Sequence, residues 1–237
     1  MVIWRIPRGE SVSRPRSYCP NCKAQIRSFD NFPVLSWLLL GGKCRKCKTQ
    51  ISIRYPLVEI GCAGLFLLAG LHFRQGYFEL AIACTMSATL LAVSVIDIEH
   101  YIIPNKIVLF ATLVVVGTVV GHCIFISRWI DLRNCLVGGG ISFLLFALIH
   151  FGFPSGMGFG DVKLALLIGL SLAAIRLAFF PIGLFLAFLA GSIFGLGSMA
   201  IGKATRKSKI PFGPFLSIGA LATLYVGPEL AKIWLGR

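Results

Sequence analysis

Long apolar runs separated by short polar breaks make up the chain from residue 56 onward. They fall near 57–73, 79–96, 106–126, 134–151, 178–201 and 214–234, and each is long enough to cross about 30 Å of hydrocarbon as a helix of roughly 17–25 residues. A shorter run, 164–175, either crosses or re-enters. Backbone polar groups in lipid must be satisfied within the segment, and the two-residue alternation of a lipid-facing strand is absent, so the pattern predicts an all-α, polytopic membrane bundle of about seven spans. Residues 1–55 read differently, as a polar segment broken by Pro and Gly. Its one apolar stretch, 28–42 (SFDNFPVLSWLLLGG), is too short to span and suits a membrane-surface anchor or a patch packed on the bundle.

Composition agrees with this pattern. With 57% hydrophobic residues, 14% charged residues and a mean hydropathy of +0.84, an ordinary soluble globule is excluded. Residues 1–10 hold no apolar core of signal-peptide length. If 164–175 crosses, 17 of the 23 Lys and Arg residues lie on the side of residues 1–55, and the positive-inside rule then places that side in the cytoplasm. The expected division is a cytoplasmic segment, 1–55, and a transmembrane domain, 56–237. The net charge of +14 is read as juxtamembrane contact with anionic lipid headgroups rather than nucleic-acid binding, for which no aromatic-interleaved groove is present.

Two C-x2-C pairs, Cys19-Pro-Asn-Cys22 and Cys44-Arg-Lys-Cys47, lie in the polar segment with 21 residues between them. Each tight turn can present two thiolates, and two such turns complete a tetrahedral zinc site of the closed, structural kind. A redox pair would need a thioredoxin-like context that is missing, and a reducing compartment disfavours disulfides. Cys62, Cys84, Cys123 and Cys135 lie within or beside spans and read as packing residues.

Two aspartates, Asp97 and Asp161, stand at the edges of apolar runs. A carboxylate near hydrocarbon is costly unless it meets a partner, an ion or a substrate. With seven spans both fall at the same membrane face, Asp97 near a helix C-terminus and Asp161 after the glycines of Gly156-Met-Gly-Phe-Gly160, near a helix N-terminus as its cap. Two carboxyl groups sharing a proton can activate water and protonate a carbonyl oxygen. Other ionisable residues carry weaker signals: Glu59 could orient a substrate or favour a helix start, Glu99 and His100 adjoin Asp97, and His72, His122 and His150 sit at span ends without ligand spacing. Gly117-x3-Gly121 and Gly191-x3-Gly195 predict close helix contacts within the bundle, and Pro211-Phe-Gly-Pro214 precedes the last span, either as a turn bordering the cleft or as an ordinary proline start of a helix.

The chain resembles the type IV prepilin peptidases, GxGD-type membrane aspartic proteases that commonly also N-methylate the residue they expose. The resemblance rests on Arg5-Ile-Pro-Arg-Gly-Glu-Ser11, both C-x2-C pairs, Asp30-Asn-Phe-Pro-Val-Leu-Ser-Trp37, Ile51-Ser-Ile-Arg-Tyr-Pro-Leu-Val-Glu59, the Asp97–Pro104 stretch, Met157-Gly-Phe-Gly-Asp-Val-Lys-Leu164 and Ile210-Pro-Phe-Gly-Pro-Phe215. It implies that Asp97 and Asp161 are the catalytic pair, with Gly158-Phe-Gly-Asp161 as the GxGD motif. It implies prepilins and pilin-like pseudopilins of type IV pili and type II secretion as substrates, the bacterial inner membrane as location, and S-adenosylmethionine as methyl donor, with no binding residues singled out for it. It also implies eight spans where seven are found: of the family's apolar helix before Arg5, only Met1–Ile3 remain, so the start is misassigned or the first helix is lost. The other reading of paired intramembrane aspartates is a proton- or cation-coupled transporter carrying a structural zinc ribbon.

Overall fold

The computed structural model describes residues 2–11, 14, 16–153, 156–202 and 210–235. The described residues form nine α-helices: α1 (Val2–Arg5), α2 (Leu35–Leu39), α3 (Arg54–His72), α4 (Tyr77–His100), α5 (Asn105–Ile126), α6 (Trp129–Gly152), α7 (Phe159–Ile175), α8 (Phe179–Ala200) and α9 (Gly213–Leu235). They fall into two compact units, Met1–Leu68 and Ala69–Arg237, divided within α3. The all-helical architecture expected from the apolar runs is what forms. Five helices, α3, α4, α5, α6 and α8, are each long and apolar enough to cross a membrane. The short run 164–175 lies in a helix of only 17 residues, α7. Of the basic residues used to orient the chain, Lys203, Arg206, Lys207, Lys209 and Arg237 lie outside the described residues.

The first unit is built on two metal-knuckle turns. Ser17–Ile26 and Gly42–Ile51 repeat each other at an offset of 25 residues, with Cys, Cys, Lys, Gln and Ile at matching positions. Each turn closes identically: Cys19 and Cys44 N–H donate to the Ala24 and Thr49 carbonyls, and Lys23 and Lys48 N–H donate back to Cys19 and Cys44. Lys23 and Lys48 take left-handed φ values of 56° and 58°, a conformation that needs outside support in a non-glycine residue. Trp37 of α2 ties the second turn to the helix, its indole N–H donating to Ile51 O at 3.0 Å. Gly42, at φ 65°, lies so close under the indole that a Cβ there would sit 2.8 Å from Trp37 Cζ2.

In the second unit α7 is the central element: 12 of its 17 residues are buried. Close approach to α6 comes from glycine. A Cβ at Gly138 of α6 would strike Ala173 Cβ and come within 2.8 Å of the Gly169 carbonyl oxygen, and a Cβ at Gly169 would strike Ser142 Oγ. The same device joins α8 to α9, where a Cβ at Gly219 would lie 2.5 Å from the Gly183 carbonyl oxygen. Without a hydrophobic gradient between helices in lipid, such backbone proximity is what packing can exploit. The expected Gly117-x3-Gly121 contact does not form: a Cβ at either position would meet open space, because that stripe of α5 faces away from its neighbours. Gly191 does face a neighbour, Phe212, whereas Gly195 does not. Gly169→Val is therefore expected to destabilise the bundle by about 1–3 kcal/mol, in the range of core overpacking, whereas Gly117→Val should be near neutral. Detergent-solubilised unfolding curves check both.

Candidate active site and metal centre

Asp97 lies in the last turn of α4, which ends when Tyr101 turns left-handed at φ 55° and donates its N–H to the Asp97 carbonyl. Pro104 then sets the chain for α5. Asp161 is the third residue of α7, and its Oδ2 accepts the N–H of Gly158 at 3.2 Å. The expected cap thus forms from inside the helix, the carboxylate reaching back to the residue that opens it. His150, at the end of α6, places its Nδ1 2.8 Å from the Met157 carbonyl oxygen and so braces the same loop.

The Pro211-Phe-Gly-Pro turn brings a third element to Asp97. The N–H of Gly213, opening α9, donates to Asp97 Oδ2 at 2.9 Å. Ser217, one turn on, bridges Gly213 O at 2.9 Å and Leu90 O of α4 at 3.3 Å, which locks the two helices in register. A Cβ at Gly213 would lie 2.7 Å from Asp97 Oδ2, so a side chain there must push the carboxyl aside; a Cβ at Gly160 would likewise lie 2.8 Å from Ile103 Cβ. Gly213→Ala is expected to displace the Asp97 carboxyl and, if that carboxyl reacts, to lower turnover about 10²-fold, the usual cost of misplacing a reacting group by an ångström. A KM that stays near wild type while kcat falls would accompany it.

Asp97 and Asp161 are 5% and 8% exposed and lie within electrostatic reach of each other. Each has one oxygen held by a backbone N–H. Asp161 Oδ1 is buried and meets no hydrogen-bond partner among the described residues, which leaves it open to water or a substrate group. Beside them, Lys163 Nζ donates to Asn105 Oδ1 at 2.8 Å, joining the starts of α7 and α5. A pair of buried carboxyls with an unengaged oxygen is the donor and acceptor set that water activation requires.

Glu59, His122 and His72 fall elsewhere. Glu59 accepts the Val34 N–H at 2.8 Å within the first unit. His122 lies 3.5 Å from Asp131, which also meets Arg128 at 3.3 Å. His72 makes edge contacts with the Phe73 and Tyr225 rings. Cys123 and Cys135 are buried among apolar residues, as packing cysteines should be.

The four knuckle cysteines converge. The Sγ atoms of Cys19, Cys22, Cys44 and Cys47 all lie within 4.8 Å of one another, and Cys19 and Cys47 are 3.7 Å apart. A tetrahedron with metal–sulfur bonds of about 2.3 Å has edges of about 3.8 Å, so the cluster fits one metal ion with little adjustment. Asn21 of the first knuckle reaches the second, donating to Thr49 Oγ1 at 2.7 Å. The Thr49 hydroxyl and backbone N–H lower the Cys47 thiol to about 5, which favours the thiolate form that binds metal. Arg45 clasps Asp30 through two bonds of 2.9 and 2.6 Å and holds that carboxyl below its usual value.

Comparison with known proteins bears on both centres. Residues 1–73 match the bacterial peptidase A24 N-terminal domain, and residues 84–196, which contain both aspartates, match the type IV leader peptidase family. A Stutzerimonas stutzeri protein named prepilin leader peptidase/N-methyltransferase is 32% identical over 93% of this chain and 75% of its own length. The chain belongs to the type IV leader peptidase family. A Pseudomonas aeruginosa member of the same name is 33% identical over 93% of this chain and 75% of its own. An Escherichia coli O78:H11 type 4 prepilin-like proteins leader peptide-processing enzyme is 35% identical over 95% and 88%. No solved structure matches the chain. As a family member it is a multi-pass membrane protein, in keeping with its five long apolar helices.

Proposed function

We propose that this protein removes the basic leader peptide from type IV prepilins and pseudopilins, with Asp97 and Asp161 as the catalytic pair. The supporting observation is two buried carboxyls from separate helix ends within electrostatic reach of each other, one with an oxygen that meets no partner among the described residues. In the reaction the ionised member takes a proton from a water whose oxygen attacks the carbonyl after a leader glycine. The protonated member gives its proton to the carbonyl oxygen. Collapse of the tetrahedral intermediate breaks the C–N bond, with a proton passing to the leaving amine, and no covalent enzyme intermediate forms. The Gly158 and Gly213 N–H groups fix one oxygen of each carboxyl, so the other is held for water and carbonyl.

The excess of Lys and Arg on the side of residues 1–55 supports a cytoplasmic active face in the inner membrane, where a basic leader meets its apolar helix. Residues 1–55 form the cytoplasmic segment in this reading, and 56–237 the peptidase domain. Cys19, Cys22, Cys44 and Cys47 would hold zinc. Four thiolates leave no open position, so that metal supports the fold and takes no part in hydrolysis. The relatives' names carry a second activity, N-methylation, for which S-adenosylmethionine would supply the methyl group to the newly exposed amine. No observation favours the transporter reading.

The test mixes the purified, detergent-solubilised chain with a prepilin and S-adenosylmethionine and weighs the product. Loss of the leader plus one methyl group at the new N-terminus is the expected mass. An uncleaved prepilin, with ion flux in proteoliposomes, would replace the peptidase by the transporter.

A further inference from the structure

Two hydrogen bonds before α7 meet in one peptide group. His150 Nδ1 lies 2.8 Å from the Met157 carbonyl oxygen, and the N–H of the same peptide unit, that of Gly158, donates to Asp161 Oδ2 at 3.2 Å. A carbonyl oxygen can only accept, so the proton of the first contact sits on Nδ1. We propose that His150 is a positioning residue for prepilin cleavage: by holding the Met157–Gly158 peptide it aims the Gly158 N–H at Asp161 and keeps the other oxygen of that carboxyl for water. The inference rests on the cleavage reaction proposed above.

This peptide needs a hold from outside the loop. Gly156, Gly158 and Phe159 are exposed, so packing restrains the stretch weakly. The Met157 side chain rests on the apolar core, which fixes where the loop lies but not how its peptide tilts. A half-turn of the peptide plane would carry Gly158 from its φ of −76° to about +100°, a region open to glycine and closed to other residues. The N–H facing Asp161 would then be replaced by a carbonyl oxygen, and a carboxylate would meet repulsion where it now meets a donor. The bond from α6 opposes that rotation, because turning the plane breaks the His150 and Asp161 contacts together.

The imidazole is itself held in place. Its ring centre lies 5.3 Å from that of Phe151 and 5.5 Å from that of Phe159. Lys163 Nζ, tied to Asn105, lies 4.9 Å from the Phe159 ring centre. Asp161 is within electrostatic reach of the imidazole. Hydrogen bonds in series polarise one another, so a donor at Met157 O also strengthens the Gly158 N–H as a donor to the carboxylate. Nδ1 donates both in the neutral ring protonated there and in the imidazolium, so the brace does not depend on the charge of His150.

The test uses the full chain in detergent and has two arms. In the first, the ring nitrogens of nitrogen-15 histidine are observed by NMR, with the His150 signals identified by their loss in His150→Asn. The expected ring carries a proton on Nδ1; a ring protonated at Nε2 alone would overturn the proposal whatever the activity. In the second, leader removal from a prepilin is followed for wild type, His150→Asn and His150→Phe. Asparagine offers an amide N–H near the place of Nδ1 and should keep kcat within about threefold of wild type, whereas phenylalanine fills the space without a donor and should lower kcat about 10–100-fold. KM should stay within about twofold in both, because the role is exerted through Asp161 and not on bound substrate. Equal losses in the two variants, or a phenylalanine variant as active as wild type, would overturn the role. A phenylalanine variant whose thermal stability falls in step with its activity would make the bond a stability contact and overturn it as well. Absence of cleavage by the wild-type chain would overturn the peptidase reading itself, whereas equal cleavage by wild type and His150→Phe overturns this role alone.

Discussion

Asp161→Asn is expected to lower prepilin cleavage by at least about 10³-fold while leaving the bundle as stable as wild type or more so. The loss follows from the chemistry: an amide neither takes a proton from water nor donates one at the pH of the reaction, and general acid–base groups contribute about 10²–10⁴-fold. The stability follows from the site. Asp161 Oδ1 is buried with no partner among the described residues, so the native carboxylate bears a desolvation penalty that a neutral amide reduces, while an asparagine Oδ1 can still accept the Gly158 N–H. Asp97→Asn should lose cleavage to a similar degree, with the Gly213 N–H retained by the amide oxygen. Single-turnover leader removal and thermal unfolding in detergent check the pair of effects together. Cleavage within tenfold of wild type in either variant would remove that residue from the mechanism.

Cys44→Ser is expected to abolish the folded state of residues 17–51. Among the described residues from 3 to 56 few are buried: Arg5, Cys19, Ser36, Gly42 and Pro56. A segment with so little apolar core cannot offset the chain entropy lost on folding. Structural zinc in isolated knuckle peptides supplies about 10–16 kcal/mol, which is ample. The wild-type chain should carry one zinc ion per molecule by elemental analysis. The variant, or wild type stripped by a strong chelator, should lose slow amide exchange throughout 17–51 while α4 through α9 keep theirs. Purified protein without metal but with slow exchange in both knuckles would contradict the assignment.

What the sequence made legible was whatever has a local signature. Apolar runs form helices, five of them long and apolar enough to cross a membrane, so α3 to α9 appear close to their expected places. The C-x2-C turns announce a tetrahedral site because both the spacing and the thiolates are local. Asp97 and Asp161 stood out because carboxylates are rare beside hydrocarbon. What failed was contact. Glycine spacing says where backbones could approach, but not which face meets a neighbour: Gly117 and Gly121 have the motif spacing and face open space, while Gly138 and Gly169 make the closest crossing without it. The hydrogen bond from Gly213 to Asp97 joins residues 116 apart, a pairing that no window along the chain can reveal. His150 carried no ligand spacing, and its part in bracing the loop before Asp161 depends on a backbone carbonyl.

The central claim is that the carboxyls of Asp97 and Asp161 approach within reach of one water molecule. A double substitution, Asp97→Cys with Asp161→Cys, treated in native membranes with a thiol cross-linker of about 5 Å span and mapped by mass spectrometry, tests this directly because two groups sharing a water lie within that reach. The expected result is a cross-linked peptide pair joining the end of α4 to the start of α7, absent from either single variant. Full modification of both introduced thiols without any such pair would contradict it.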